Sequence, residues 1–312
     1  MLKAGSTRKS VVTIGVFDGV HVGHRRILDE VCLLARGLKA RGIVVTFEPH
    51  PVSVLHPAET PQMLTTLSEK LDLIAGVGLG ETLVLRFTPR LAGRGAEWFV
   101  RRVLLNKLNM ARLVVGYDFK FGRDREGDAR YLEALGEHLG FGVDIVPPVL
   151  FAGHPISSTR IRTALTRGDA GSAARMLGMP YSIVGKVVGG ERRGRLLSYP
   201  TANLRVLERG KMIPREGIYA VKVLGSARPR SSPGSRPRPG VLYIGRRPTY
   251  GGKRISIEVY ILGKVGDLYG KTLKLLLIRR LRGDRAFPDD DALKRAIAKD
   301  VEKAKKVLRI IA

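Results

Sequence analysis

VVTIGVFDGVHVGHRRIL (residues 11–28) decides how the first half of the chain folds. Its first seven residues are apolar or β-branched, as a buried strand requires. A glycine-rich turn follows, and a helical pattern begins near Gly23. A strand that runs through such a turn into a helix offers unpaired N–H groups, and the positive end of the helix dipole, to an anion. His21 and His24 stand three apart across the turn, so both rings can face one phosphate. Each can donate a hydrogen bond to charge that builds on a phosphoryl oxygen. Gly15, Gly19 and Gly23 let a ligand approach the backbone closely. The turn, with Gly15, Phe17, Asp18, His21 and His24, is therefore expected to hold a nucleotide. The alternative use of an H-x-x-H pair is a metal site.

Outward from this stretch the pattern repeats. GIVVTFE (42–48), ETLVLRF (81–87), ARLVVGY (111–117) and FGVDIVP (141–147) read as further strands. Helical periodicity fills residues 23–41, 68–76, 95–108 and 128–139 between them. Strands that alternate with helices predict parallel βαβ units covered on both faces, an open doubly wound sheet. Ligands then bind outside the carboxyl ends of the strands.

Near residue 180 the pattern changes. Short β-like segments at 182–189, 217–224, 240–245, 255–262 and 272–279 are split by Gly and Pro, which predicts a small antiparallel barrel. Leu293, Ile297, Val301, Ala304 and Leu308 recur at steps of three and four, and Asp289, Asp290 and Asp291 precede them, so a final helix is expected. The stretch GSARPRSSPGSRPRPG (225–240) reads as an exposed loop. Two domains, 1–180 and 181–312, follow.

Composition is that of a globular protein, 44% hydrophobic and 27% charged. No run of about 18 apolar residues predicts a membrane span, and no signal peptide is read at the start. The single Cys32 lies in the apolar run VCLLA and fits a reducing cytoplasm. The net charge of +27 is uneven: 24 Lys and Arg against 17 Asp and Glu in residues 1–180, and 31 against 11 in residues 181–312. Such a balance attracts polyanions. Yet no RNA-recognition or helix-turn-helix signature accompanies it, so nucleic acid is not the expected partner and a basic nucleic-acid-binding protein stands only as an alternative.

The H-x-G-H spacing at 21–24 resembles the signature of the nucleotidyltransferase superfamily, and ISSTRIR (156–162) resembles its second signature. The pair implies ATP binding by Ser158, Thr159, Arg160 and Arg162 as well, the arginines neutralising a triphosphate. TFEPHP (46–51), RFTPRLAGRGAEWFVRRVL and VVGYDFKFGRDREGD (114–128) resemble segments of bacterial FAD synthetases. That implies a flavin pocket with His50, Asp118, Phe119 and Phe121, although an aromatic residue belongs to the core more often than to a ligand.

GKVVGGERRGRLLSYPTANL (185–204) and SIEVYIL (256–262) resemble the riboflavin kinase signature, and PREGIYAVKV, IGRRPTYGG, GDLYGKTL and LRGDRAF follow in the same order. The chain thus resembles the bifunctional riboflavin kinase/FMN adenylyltransferase family from about residue 11 to 309. The resemblance implies two ATP-dependent steps, riboflavin to FMN and FMN to FAD, with Mg²⁺, in a cytoplasmic monomer or weak homo-oligomer. An adenylyltransferase with another acceptor is the alternative.

In the kinase half, Thr201 and Asn203 present neutral oxygens suited to Mg²⁺ and ATP, Thr201 as metal ligand. Glu258 lies in an apolar strand and by alternation shares a face with Ser256 and Tyr260, where it can act as general base. The chain departs from the family pattern at Gly189, Glu191, Ser198, Tyr199, Tyr243 and Arg246. Ser198 stands where a glycine is usual.

Overall fold

The runs of β-branched residues in the first half form strands because a two-sided buried sheet rewards them on both faces. In the structure, a computed structural model describing residues 8–189, 198–225, 236–246, 255–263 and 265–309, the chain divides into two compact units, Met1–Ser158 and Thr159–Ala312.

The first unit holds five parallel strands, β1 (Ser10–Ile14), β2 (Arg41–Glu48), β3 (Glu81–Arg86), β4 (Met110–Gly116) and β5 (Gly142–Val146). They lie in the order β3-β2-β1-β4-β5. Helices α1 (Val22–Gly37), α2 (Pro51–Leu55), α3 (Leu67–Gly76), α4 (Pro89–Ala92), α5 (Ala96–Phe99) and α6 (Ala129–Leu139) join them, and α5 continues as a wide π-type turn over Val100–Leu105. Alternation along the strands makes two cores. Val11, Val44 and Val114 pack with Leu28, Val31 and Ala35 of α1 and Ile74 of α3 on one face. Val12, Ile43, Val45, Leu113 and Val115 pack with Phe99, Leu104, Leu132 and Leu135 on the other. The strand order reverses between β1 and β4, so the crevice above their carboxyl ends is where this topology places a ligand.

A two-stranded hairpin, β6 (Leu150–Phe151) and β7 (His154–Pro155), precedes α7 (Ser158–Arg167) and α8 (Ala170–Leu177). The second unit is a closed six-stranded barrel built from β8 (Tyr181–Val188), β9 (Ala202–Val206), β10 (Gly217–Gly225), β11 (Arg238–Gly245), β12 (Ser256–Ile261) and β13 (Thr272–Arg282), in the order β10-β11-β12-β9-β8-β13. Every pairing is antiparallel. Closure leaves no free sheet edge. The barrel is followed by the expected helix, α9 (Asp290–Leu308), whose N-cap Asp289 accepts the N–H of Ala292 at 2.6 Å. Val301 and Ala304 of α9 pack on Ile218, Ala220 and Val241, with Tyr199, Tyr243 and Tyr260 around them. A buried ion pair fastens the helix: Arg282 donates through Nε and Nη2 to Asp300, at 2.7 Å for the closest contact.

Three strands escape the sequence reading, the two-residue β6 and β7 and the longer β9. β9 is only five residues long and pairs with β12 over just Asn203 and Ala202. Its residues alternate apolar and polar as a strand's do, but the run is only five residues and follows closely on Pro200, too short to stand out. β11 begins at Arg238, inside the expected 225–240 loop; residues 226–235 of that loop, Glu191 and residues 247–254 lie outside the described residues.

The expected boundary at 180/181 and the division at Ser158/Thr159 differ over α7 and α8, and α8 packs on β8 and β13.

Candidate functional sites

In the first unit, β1 ends in a tightly braced turn. Phe17 (φ 52°) and Val20 (φ 39°) adopt left-handed backbone beside Gly19 (φ 86°). Non-glycine residues there are strained and persist only where surrounding contacts impose them. The contacts are visible. Asp18 is buried; its Oδ2 accepts the N–H of Leu64, and its Oδ1 accepts the N–H and hydroxyl of Thr65, at 3.0–3.1 Å. Thr65 Oγ1 in turn accepts the N–H of Gly19, and the hydroxyl of Ser158 donates to the carbonyl of Asp18 at 2.9 Å. In this arrangement Asp18 organises the turn. Ser158, the first residue of α7, thus reaches the turn with its hydroxyl.

Phe17 is buried in the core, and a side chain at Gly15 would meet its ring at 2.9 Å. The smallness of Gly15 accommodates Phe17, where the sequence reading assigned it to a ligand's approach.

His21 is the N-cap of α1, and its Nδ1 accepts the N–H of His24 at 3.2 Å. That bond places the His21 proton on Nε2, leaving an N–H donor. The rings of His21 and His24 stack with centroids 3.5 Å apart and planes 17° from parallel, and Phe17 meets His24 edge-on at 5.2 Å. Burial pulls the His21 pKa down to about 4, against the opposing pull of Asp18. Burial also holds His24 well below its ordinary value, with His21 and Lys70 acting in the same direction. Both imidazoles are therefore neutral near pH 7 and act as polar donors. Among the described residues, the buried Nδ1 of His24 has no hydrogen-bond partner. An orphaned polar atom at a helix N-terminus beside a stacked donor suits a ligand oxygen.

Other expected residues stand at neighbouring strand ends. His50 follows β2, caps α2 through Nδ1 to the N–H of Val52 at 3.2 Å, and is half-buried. Asp118 lies two residues beyond β4 and is exposed. Phe119 and Phe121 stack at 5.3 Å, and Phe121 meets Phe99 at 6.2 Å. Both are partly buried against the core, the use that competes with stacking on a flavin. Thr159, Arg160 and Arg162 follow Ser158 on α7.

In the barrel, alternation works as expected. Ile257, Val259 and Ile261 are buried, while Ser256, Glu258 and Tyr260 share the other, half-buried face. Glu258 is in register with Asn203 of β9 on one side and Tyr243 of β11 on the other. Directly opposed residues share a face, so three polar side chains form one row across three strands. The hydroxyl of Thr201 donates to Glu258 Oε2 at 3.1 Å, and that of Ser256 donates to Oε1 at 3.0 Å. Tyr243 extends the row by donating to Asp284 at 3.0 Å. Thr201 and Asn203 are thus brought together with Glu258, which is distant from both in sequence.

The donor set fits Mg²⁺. It offers a hydroxyl whose own proton is engaged, leaving its lone pairs available, an amide and a carboxylate, all hard oxygens. No group of three or more His, Cys, Asp or Glu suited to a metal occurs among the described residues. A cation here would therefore draw much of its coordination from nucleotide phosphates.

Sequence reading missed Lys70, Thr65 and Asp284, and it placed Ser256 on the face of Glu258 without giving it a role. For Lys70 a signal existed: it occupies an apolar position of α3, one turn before Ile74, and both are buried.

A turn carrying two stacked histidines on a doubly wound sheet, joined to a barrel carrying a carboxylate among neutral oxygens, defines a two-domain enzyme of phosphoryl and nucleotidyl transfer. Residues 3–160 match the family model described as FAD synthetase, and residues 177–308 match riboflavin kinase. A bifunctional riboflavin kinase/FMN adenylyltransferase of Escherichia coli K12 is 39% identical over 93% of this chain and 90% of its own length. One of Pseudomonas fluorescens is 38% identical over 96% and 93%. The crystal structure of a protein described as a macrolide-efflux protein from Streptococcus pneumoniae shares 30% identity and superposes with a TM-score of 0.86, covering 97% of this chain and 96% of that one. Efflux is said of that protein; among the described residues here, no helix is long and apolar enough to cross a membrane. The chain belongs to the bifunctional riboflavin kinase/FMN adenylyltransferase family.

Proposed function

We propose that the chain makes FAD from riboflavin in two ATP-dependent steps at two separate sites, and that the residues above divide between them. The observation that carries this reading is the pair of constellations: two stacked, neutral imidazoles at the carboxyl edge of a parallel sheet, and Glu258 held by two hydroxyls on a barrel face.

At the barrel, the ribityl 5′-hydroxyl oxygen of riboflavin attacks the γ-phosphorus of ATP, the bond to ADP breaks, and Glu258 takes the hydroxyl proton. Ser256 and Thr201 orient the carboxylate. Thr201 and Asn203 would hold Mg²⁺ with the nucleotide; when bound, it supplies charge neutralisation on the phosphates.

At the sheet, an oxygen of the FMN phosphate attacks the α-phosphorus of a second ATP, FAD forms, and pyrophosphate leaves. The nucleophile is already ionised near neutral pH, so positioning and donors aimed at developing charge dominate. His21 and His24 supply donors, Arg160 and Arg162 balance the pyrophosphate, and His50, Asp118, Phe119 and Phe121 border the flavin. Ser158 holds the turn through Asp18. In this reading the functional boundary lies at 180/181, because ISSTRIR serves the first domain's chemistry. We place the enzyme in the cytoplasm, as a monomer or weak homo-oligomer.

The test is chromatography of purified protein incubated with riboflavin, ATP and Mg²⁺, and separately with FMN and ATP. FAD in both supports the reading. FAD only from FMN would leave the barrel inactive, and no flavin product in either would remove the reading altogether.

A further inference from the structure

Lys70 is a charged group almost wholly buried, at 5% exposure, in the interior of the first unit. Its Nζ donates to the carbonyl of Val16 at 3.3 Å and to that of Phe47 at 3.2 Å. Val16 lies two residues beyond β1, and Phe47 is the penultimate residue of β2. The hydroxyl of Thr46 donates to the same Val16 carbonyl at 3.1 Å. One ammonium therefore ties the carboxyl ends of two adjacent strands together, immediately before the turn that carries His21 and His24.

The charges around it come from each neighbouring element. Glu48 of β2 and Asp18 of the turn favour the ammonium, opposing the burial that lowers its pKa, and on α1 the His24 ring feels its charge. His24 is also faced by His21, and His21 by Asp18. Burying an ammonium is costly unless it is hydrogen-bonded and balanced. An apolar side chain on α3 would fill the core at lower cost, so packing alone does not account for a lysine here.

Resting on the reading of this site as the adenylyl-transfer centre, we propose that Lys70 is its positioning residue: by clamping the carbonyl ends of β1 and β2, it fixes the turn and with it the orientation of the two imidazoles. It touches no substrate and acts through His21 and His24. Its charge also helps keep His24 neutral, so that ring enters catalysis as a donor.

The test compares Lys70→Met, which removes charge and donors, Lys70→Gln, which keeps an N–H donor, and Lys70→Arg, which keeps both. In each full-length variant, FAD formation from FMN is measured beside FMN formation from riboflavin in the same preparation. Lys70→Met is expected to lose at least tenfold in kcat for FAD formation, Lys70→Gln less, and Lys70→Arg to recover most of the rate, while riboflavin phosphorylation stays within twofold. In parallel, NMR of ¹⁵N-labelled histidine follows His24 without any substrate. Its titration should move to higher pH in Lys70→Met and Lys70→Gln and stay in place in Lys70→Arg. Should Lys70→Met fail to fold, Lys70→Gln decides by the same two readouts. FAD formation within twofold of wild type, with histidine titrations unmoved, overturns the proposal. If wild type itself makes no FAD from FMN, the reading of the site has failed instead, and the histidine titration still decides whether Lys70 positions the pair.

Discussion

His21 Nδ1 accepts the backbone N–H of His24 at 3.2 Å while the two imidazoles stack 3.5 Å apart, so one short turn fixes a tautomer, caps a helix and aligns two donors. Because the first histidine also caps α1, replacing it costs order as well as chemistry. His24→Leu, which removes the donor, is the cleaner probe. Loss of one donor to developing charge typically lowers turnover by about 10²–10³-fold. FAD formation from FMN should fall by roughly that factor, while riboflavin phosphorylation by the same variant is unchanged. An equal loss in both activities would place His24 in folding instead.

The buried imidazoles also give a pH dependence of stability. His21 has a pKa of about 4 in the folded chain against an ordinary 6.5, so between these values the unfolded chain binds more protons. Stability from this group is present above about pH 6.5 and is lost as pH falls through the folded pKa near 4, by about 3 kcal/mol in full. Burial of His24 acts in the same sense. Urea unfolding between pH 7 and 4.5, followed by a probe in the sheet unit, should show this loss, and His21→Asn should flatten it.

Glu258 takes its place between Asn203 and Tyr243 from strand register, and its two oxygens accept from Ser256 and Thr201. Glu258→Gln keeps the shape and removes the base. FMN formation from riboflavin should drop about 10²–10⁴-fold, with FAD formation from FMN preserved. Ser256→Ala, which removes one of the donating hydroxyls, should cost far less. A Glu258→Gln enzyme that still phosphorylates riboflavin at the wild-type rate would remove the general-base role.

Ser198 adopts φ 65°, a left-handed conformation, immediately before Tyr199, whose ring meets Tyr260 at 5.4 Å. The glycine usual in the family would occupy that conformation without strain, whereas a side chain there costs about 1–2 kcal/mol. Ser198→Gly is expected to raise the barrel's melting temperature and to leave or increase riboflavin phosphorylation. A lower melting temperature would contradict the conformational reading.

Asp300 is 4% exposed and accepts from Arg282 through a forked contact. Removing one partner of a buried pair leaves a charge uncompensated, at about 3–5 kcal/mol. Asp300→Ala should therefore loosen α9 and lower barrel stability by roughly that amount in urea unfolding.

Most of the architecture was legible because both halves are strongly patterned. Five apolar runs alternating with helices became β1 to β5, and the Leu293–Leu308 periodicity became α9. What escaped was structure set by distant contacts. β9 is short and is held as a strand by β8 and β12. Lys70 stands out in sequence only as a lysine at an apolar position of α3, and its tie to the ends of β1 and β2 arises only once those strands lie side by side. Asp18 reads as a ligand residue in its turn, yet its carboxylate holds Leu64 and Thr65, more than forty residues downstream. The row Asn203–Glu258–Tyr243 depends on register across three strands, which no local pattern encodes.

The most direct measurement is a time course of flavins, separated by chromatography, when the wild-type chain is given riboflavin, excess ATP and Mg²⁺. Two sites acting in sequence predict that FMN appears first, then declines as FAD accumulates, with ADP and pyrophosphate released. Riboflavin left unchanged, together with FMN left unchanged when it is supplied instead, would contradict that claim.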